Sequence, residues 1–265
     1  MRRAGIGVWL VLGFALAALF GPLVAPADPL AIDLPHELEP PSSAHLLGTA
    51  DNGVDVLSLL LHGARLSGTI ALFAVGLSVL IGAPLGALAG LRRGWVDQIV
   101  TGAADLVQCF PSIVLHVAIL ALVARPGVTH LVIALVANGW VVHARIARAQ
   151  ALSLAERDFV TAARAIGASE LRVLVRHVLP NLAGPLVVQA TSALGGAVLA
   201  ESTLSFLGLG PGVSVSWGAL LDQGAAVILR SPHVALVAGS AIALTVLGFN
   251  LAGDWLRDRL DPKTR

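Results

Sequence analysis

The hydrophobic pattern of this chain is one of long unbroken runs. Residues 4–24 and 66–91 contain no charged side chain, and residues 99–124 contain a single acid, Asp105. Residues 128–142 form a shorter uncharged run, and after a polar stretch residues 182–200 and 234–252 complete the set. A helix needs about 20 apolar residues to cross a bilayer. In lipid the backbone amides must bond within their own segment, so each run is predicted as a helix. The pattern predicts an all-α, polytopic membrane protein with about six transmembrane helices.

Composition supports this reading. Of 265 residues, 56% are hydrophobic and 12% charged, against about 25% charged in a soluble domain. That leaves too little charge to cover a water-facing surface. The lone cysteine, Cys109, excludes an internal disulfide. A formal net charge of +1 without a dense basic run gives no expectation of nucleic acid as a partner; the lipid bilayer is the expected one. Of the 17 basic residues all but Lys263 are arginines, and their placement sets the orientation. With the N-terminus in the cytoplasm, fourteen lie inside and only Arg65, Arg125 and Arg230 outside. Cytoplasmic loops carry such an excess, so both termini are expected in the cytoplasm. Arg2, Arg3, an apolar run and Ala25-Pro26-Ala27 also match a cleavable signal peptide. The run exceeds the usual apolar core of about 7–15 residues, and an uncleaved first span is expected.

The chain divides accordingly into an N-terminal transmembrane helix (1–24), an external segment (25–65), a core of five spans (66–253) and a cytoplasmic tail (254–265). The external segment is acidic and proline-rich. Its later part has apolar Val54, Leu57, Leu60 and Leu61 at helical spacing. It is read as an amphipathic piece lying at the membrane surface, with a simple packed loop as the alternative. Gly82, Gly86 and Gly90 repeat every four residues on one face of the second span. Small residues so placed let helix backbones approach, and ordinary helix packing is the expected use. Pro84 predicts a kink there. Polar residues inside the spans are few: Asp105, Gln108, His116, Asn138, His143, Gln189 and Glu201. They form no spaced relay. Asp105, His143 and Glu201 are expected near span ends, and a structural role is expected for each.

The longest cytoplasmic stretch, residues 144–183, is built like two capped helices. Ser153 with Glu156 matches a capping box. Phe159, Ala162, Ala163 and Ile166 then form an apolar face, with Arg157, Thr161 and Arg164 on another. Gly167 is placed as a left-handed cap. Ser169 can cap a second helix with the stripe Leu171, Leu174, Val175 and Val178, which Pro180 is expected to stop. A small alanine-bearing face outside the membrane either docks in a partner's groove or packs on the protein's own helix ends. The residues alone leave both open.

Residues 158–180, DFVTAARAIGASELRVLVRHVLP, resemble the "EAA" loop of ABC-transporter permeases. Ala162, Ala163, Gly167, Leu179 and Pro180 match that pattern, while Thr161 stands for its glutamate and His177 for its isoleucine. Residues 47–56, LGTADNGVDV, are similar to the LGTDxxGRDV of the dipeptide/oligopeptide/nickel branch, with Val54 in place of arginine. Residues 200–210 (AESTLSFLGLG), Ser216-Trp217-Gly218 and residues 249–262 (FNLAGDWLRDRLDP) match the C-type subunit of that branch. The resemblance covers nearly the whole chain, in order. It implies the type I importer permease fold and a place in the bacterial inner membrane, with the loop helix as a coupling helix. Its coupling residues would be Phe159, Thr161, Ala162, Ala163, Ile166, Gly167, Leu179 and Pro180. It also implies a homologous B-type permease as the other half of the pathway, two ABC ATPase subunits and an extracytoplasmic substrate-binding protein. This chain would bind no cofactor, with ATP used by the ATPase subunits, and would bind no metal. Short peptides are the expected substrate; nickel or another small solute is the alternative, and the substrate-contacting residues stay unassigned.

Other function classes fare worse. A phosphate-binding loop needs Gly-Lys-[Ser/Thr], and the sole lysine sits in Pro262-Lys263-Thr264. No G-x-S-x-G occurs, and His36-Glu37 lacks the second histidine of H-E-x-x-H. A secondary transporter would be expected to show inverted repeats with mid-membrane charges; no clear repeat is present and such charges are few.

Overall fold

The computed structural model describes residues 2–212 and 215–260, with side chains from Gly5 onward. Residues 261–265, with Lys263 and Arg265 of the charge argument, lie outside the described residues, as do the side chains of Arg2 and Arg3. Helices dominate: α1 (Arg2–Val24), α2 (Val56–Arg92), α3 (Gly94–Gln108), α4 (Ser112–Ala121), α5 (Val128–Leu154), α6 (Asp158–Ala165), α7 (Glu170–Val173), α8 (Leu179–Phe206), α9 (Trp217–Ala226) and α10 (Pro232–Leu260). Among them α1, α2, α5, α10 and the continuous run Glu170–Phe206 are each long and apolar enough to cross a membrane.

The third span differs from the sequence expectation. Residues 99–124 do not form one helix; α3 and α4 meet at 83°. Pro111 supplies no amide to extend α3 and starts α4 instead. Helix contacts show that the bent pair still carries the chain across. A Cβ at Gly82 would meet the Trp140 carbonyl, one at Gly86 that of Ala144, and one at Gly90 that of Arg148. The two sets of numbers rise together, so α2 and α5 run parallel, and the segment between them must return through the membrane. The glycine repeat serves helix packing, as expected. By the same reasoning Gly7 against Leu251 and Gly248 against Leu10 make α1 and α10 antiparallel. Six crossings follow, with the start of α1 and the end of α10 at the same end of the bundle.

Three other expectations are corrected. The stretch from Val54 is no separate surface segment: α2 begins at Val56 and runs unbroken for 37 residues. Asp55 caps it, accepting from the Ser58 amide at 2.8 Å and the Ser58 hydroxyl at 2.9 Å. The capping box at Ser153 is absent, because α5 continues through it to Leu154 and α6 starts behind Arg157 without a side-chain cap. Pro180 stops nothing, since a wide π turn at Leu174–Val178 carries the chain helically into α8 with Pro180 in its first turn. The widened turn before it accommodates a residue that has no amide to donate.

The external segment folds back over the bundle. Residues 47–56 form a tight turn with Gly48, Asn52 and Gly53 at positive φ. His233 of α10 approaches the Thr49 carbonyl at 3.2 Å, and Ser231 donates to the Leu38 carbonyl at 3.1 Å. Trp217 donates its indole N–H to the Leu60 carbonyl at 2.8 Å, tying α9 to α2.

Candidate functional site

At the end of the bundle where α2 and α5 finish, α6 and α7 fold against the helix ends. The buried side of α6 is Val160 and Ala163. These pack with Ala87 and Leu91 of α2, Ala147 and Ala151 of α5, and Val173, Val178 and Leu182. The sequence reading placed Ala163 on the same face as Phe159 and Ile166, and the structure separates them. Ala163 is 6% exposed, whereas Phe159 is 43% and Ile166 88% exposed. Thr161 and Ala162 are exposed too. An eight-residue helix permits two apolar rows, and the row starting at Val160 was the one missed. The second stripe splits likewise: Leu174 and Val178 are buried, while Leu171 and Val175 are exposed.

The loop is nonetheless well ordered by its own contacts. Gly167 has φ +86° with open space where a Cβ would stand; this left-handed position ends α6 as expected. Ser169 accepts from the Arg172 amide at 3.4 Å. Arg164 makes a two-pronged pair with Glu170 at 3.0 and 3.2 Å. The ring of Phe159 lies 6.3 Å from that of His177. Leu179 is half-buried and Pro180 exposed. What remains outward is an apolar face of Phe159 and Ala162 on this short helix and of Ile166 at its C-terminal cap.

Ion pairs fix the surroundings. Arg148 of α5 holds Asp97 of α3 through two hydrogen bonds at 2.5 and 2.6 Å. Arg145 reaches Asp105 at 2.7 Å, and Arg93 reaches Glu156 at 2.8 Å. Asp105 lies in the last turn of α3, beside the break at Pro111. His143 and Glu201 are buried, at 2% and 0% exposure, with His143 in the interior of α5 and Glu201 in the last turns of α8. Ser67 of α2 and Ser205 of α8 donate to the two carboxyl oxygens of Glu201 at 2.6 and 2.8 Å.

Two cavities lie along the divergence of α5 and α8. One, about 460 Å³, opens near the loop end and is lined by Gln150, Gly184, Gln189 and Arg257 among others. The second, about 300 Å³, lies between α2, α4, α5 and α8. Gln189 lines both, so they share a wall. Four of the polar span residues, His116, Asn138, His143 and Gln189, come together on the second cavity. No periodicity in the sequence signalled this, since they come from three helices.

The architecture defines a class: a helical membrane subunit with a packed loop helix at one end and a polar-lined groove inside. Solved structures of the MetNI methionine ABC transporter have the same fold (TM-score 0.63, 19% identity, covering 77% of this chain and 96% of that one). The chain belongs to the family described as binding-protein-dependent transport system inner membrane component, whose model matches residues 82–265. Residues 2–41 match the N-terminal transmembrane domain of oligopeptide transport permease C. It is therefore a multi-pass inner-membrane permease component of an ABC importer. Its relatives include the dipeptide permease DppC of Alkalihalophilus pseudofirmus, 36% identical over all of this chain and 87% of that one. The di/tripeptide permease DppC of Pseudomonas aeruginosa is 40% identical over 98% and 88%, and the oligopeptide permease OppC of Bacillus subtilis 36% over 100% and 87%.

Proposed function

We propose that this chain is one half of the translocation pathway of an ATP-driven importer of short peptides. Both termini lie in the cytoplasm, and the α6 face of Phe159, Ala162 and Ile166 seats in an ATPase subunit. A second, non-identical permease forms the other half, and an extracytoplasmic binding protein delivers the peptide. ATP is bound and hydrolysed by the ATPase subunits, and this chain needs no cofactor of its own. The observation that carries the coupling role is the 88% exposure of Ile166 at the C-terminal cap of a helix whose other side packs on the core. Exposed apolar side chains on a fixed element outside the spans serve a partner surface. The peptide substrate rests on the names of full-length relatives. Ile166→Asp tests the reading, since the side chain touches none of the protein's own core. The variant should insert and fold normally, lose co-purification with the ATPase subunits, and drop ATP-driven dipeptide uptake at least about tenfold, the effect of one lost apolar anchor with a buried charge in its place. Uptake at the normal rate would remove α6 as the coupling element.

A further inference from the structure

Among the described residues, three buried side-chain nitrogens have no hydrogen-bond partner: both ring nitrogens of His116 and Nε2 of His143. Both residues line the same cavity of about 300 Å³. They are 6% and 2% exposed. Polar atoms buried without partners are rare in folded proteins and are costly inside a membrane. Orphaned atoms gathered on one cavity point to something that enters it.

The chemistry of the lining narrows what that is. Nδ1 of His143 lies 3.0 Å from the Gly139 carbonyl. A carbonyl only accepts, so Nδ1 carries the proton, and Nε2 of the neutral ring offers a lone pair. His143 therefore asks for a donor. A neutral His116 has one N–H and one lone pair, so it asks for an acceptor and a donor together. The other polar groups on the wall are Ser78, Ser112, Asn138 and Gln189, all neutral. No carboxylate, lysine or arginine lines this cavity, and the rest of the wall is small and apolar. Such a set has no counter-charge for a peptide's termini and matches a peptide unit, whose N–H and C=O point to opposite edges of one plane. The broken third span is what supplies Ser112 and His116, because the turn at Pro111 brings the short α4 against α5. The volume lies at the small end of ligand pockets, about 300–1,000 Å³.

We infer that this cavity is a peptide-backbone subsite on the import path, in which His143 Nε2 accepts from an amide N–H and His116 bonds the same or an adjoining peptide unit. Side-chain-independent contact of this kind suits a pathway that passes peptides of varied sequence. The inference rests on the peptide-importer reading and deepens it.

The test uses the complete complex in liposomes, with partner permease, ATPases and binding protein. The probes are radiolabelled tetra-alanine and its derivative methylated on the central peptide nitrogen. Methylation removes the donor that His143 seeks. Wild type should favour tetra-alanine over the methylated form by about fivefold or more beyond the ratio of their affinities for the isolated binding protein, the effect of one lost hydrogen bond. His143→Leu and His116→Leu should bring that excess close to one and lower the peptide moved per ATP hydrolysed, while His116→Gln, which keeps a donor and an acceptor, should retain most of it. Wild type showing no excess over the binding protein would overturn the subsite without any variant. Leucine variants that transport and discriminate like wild type would also overturn it, leaving the imidazoles as wall packing or water ligands. If wild type hydrolyses ATP on addition of loaded binding protein yet moves neither peptide, the peptide-importer reading falls, and the subsite with it.

Discussion

Individual residues in the loop helix answer to different neighbours. Ala162 and Ala163 are adjacent in sequence and identical in chemistry, yet one faces outward and the other packs against Val160, Val173 and Val178. Ala163→Glu should bury a charge in that cluster and cost about 3 kcal/mol or more, enough to unseat α6. Ala162→Glu should leave the fold intact and lose only ATPase attachment. The two separate in a thermal-unfolding measurement on the purified chain, where only the first should shift the midpoint. Equal shifts would contradict the two-sided helix. Glu201 offers a second residue-scale test. Its carboxyl group accepts from Ser67 and Ser205 across α2 and α8. Glu201→Gln keeps an acceptor and the shape, so it should lose about 1–3 kcal/mol less than Glu201→Ala, which leaves a cavity. The same loss for both would mean that the shape and the single acceptor that glutamine keeps contribute nothing.

At the scale of elements, the α2–α5 contact organises the core. Their backbones meet at Gly82, Gly86 and Gly90, where any Cβ would strike a carbonyl oxygen. Gly86→Val should force the helices apart and cost about 1–3 kcal/mol or more. Because α5 also carries His143 and Asn138, the same change should disturb the cavity. Gly76, with open space around it, is the control position, and Gly76→Ala should be neutral or slightly stabilising, since alanine favours a helix over glycine by about 1 kcal/mol. Detergent-solubilised thermal stability checks both, and a Gly86→Val protein as stable as wild type would refute the close packing. The element most at odds with its hydrophobic run is the third span. Hydropathy reports how apolar a stretch is, whereas the direction of the chain at Pro111 depends on what packs on either side of the break.

For the whole molecule, antiparallel α1 and α10 put their outer ends together, and the parallel pair α2 and α5 requires six crossings. On the arginine excess we propose that this common end lies in the cytoplasm. A cytoplasm-active reporter fused after Arg265 should work. One inserted at Pro41 should be silent, while a periplasm-active reporter at Pro41 should respond. Reversed signals at Pro41 would overturn the orientation.

Much of this was legible in the chain itself. The apolar runs set the number of crossings, because a bilayer admits backbone only as helices of sufficient length. Gly167 announced its left-handed turn, and the glycine repeat on α2 announced a close approach. The family could be recognised from short motifs, each tied to a local need: a turn before α2, a cap at Ser216, a buried acid on α8. Tertiary structure alone decided which row of α6 faces inward, since two apolar rows compete on so short a helix. It decided that the third span is broken, and that residues 56–66 extend a span instead of lying on the surface. It also decided that His116, Asn138, His143 and Gln189 share one cavity. Periodicity describes one helix at a time, and a site assembled from α4, α5 and α8 depends on how those helices cross.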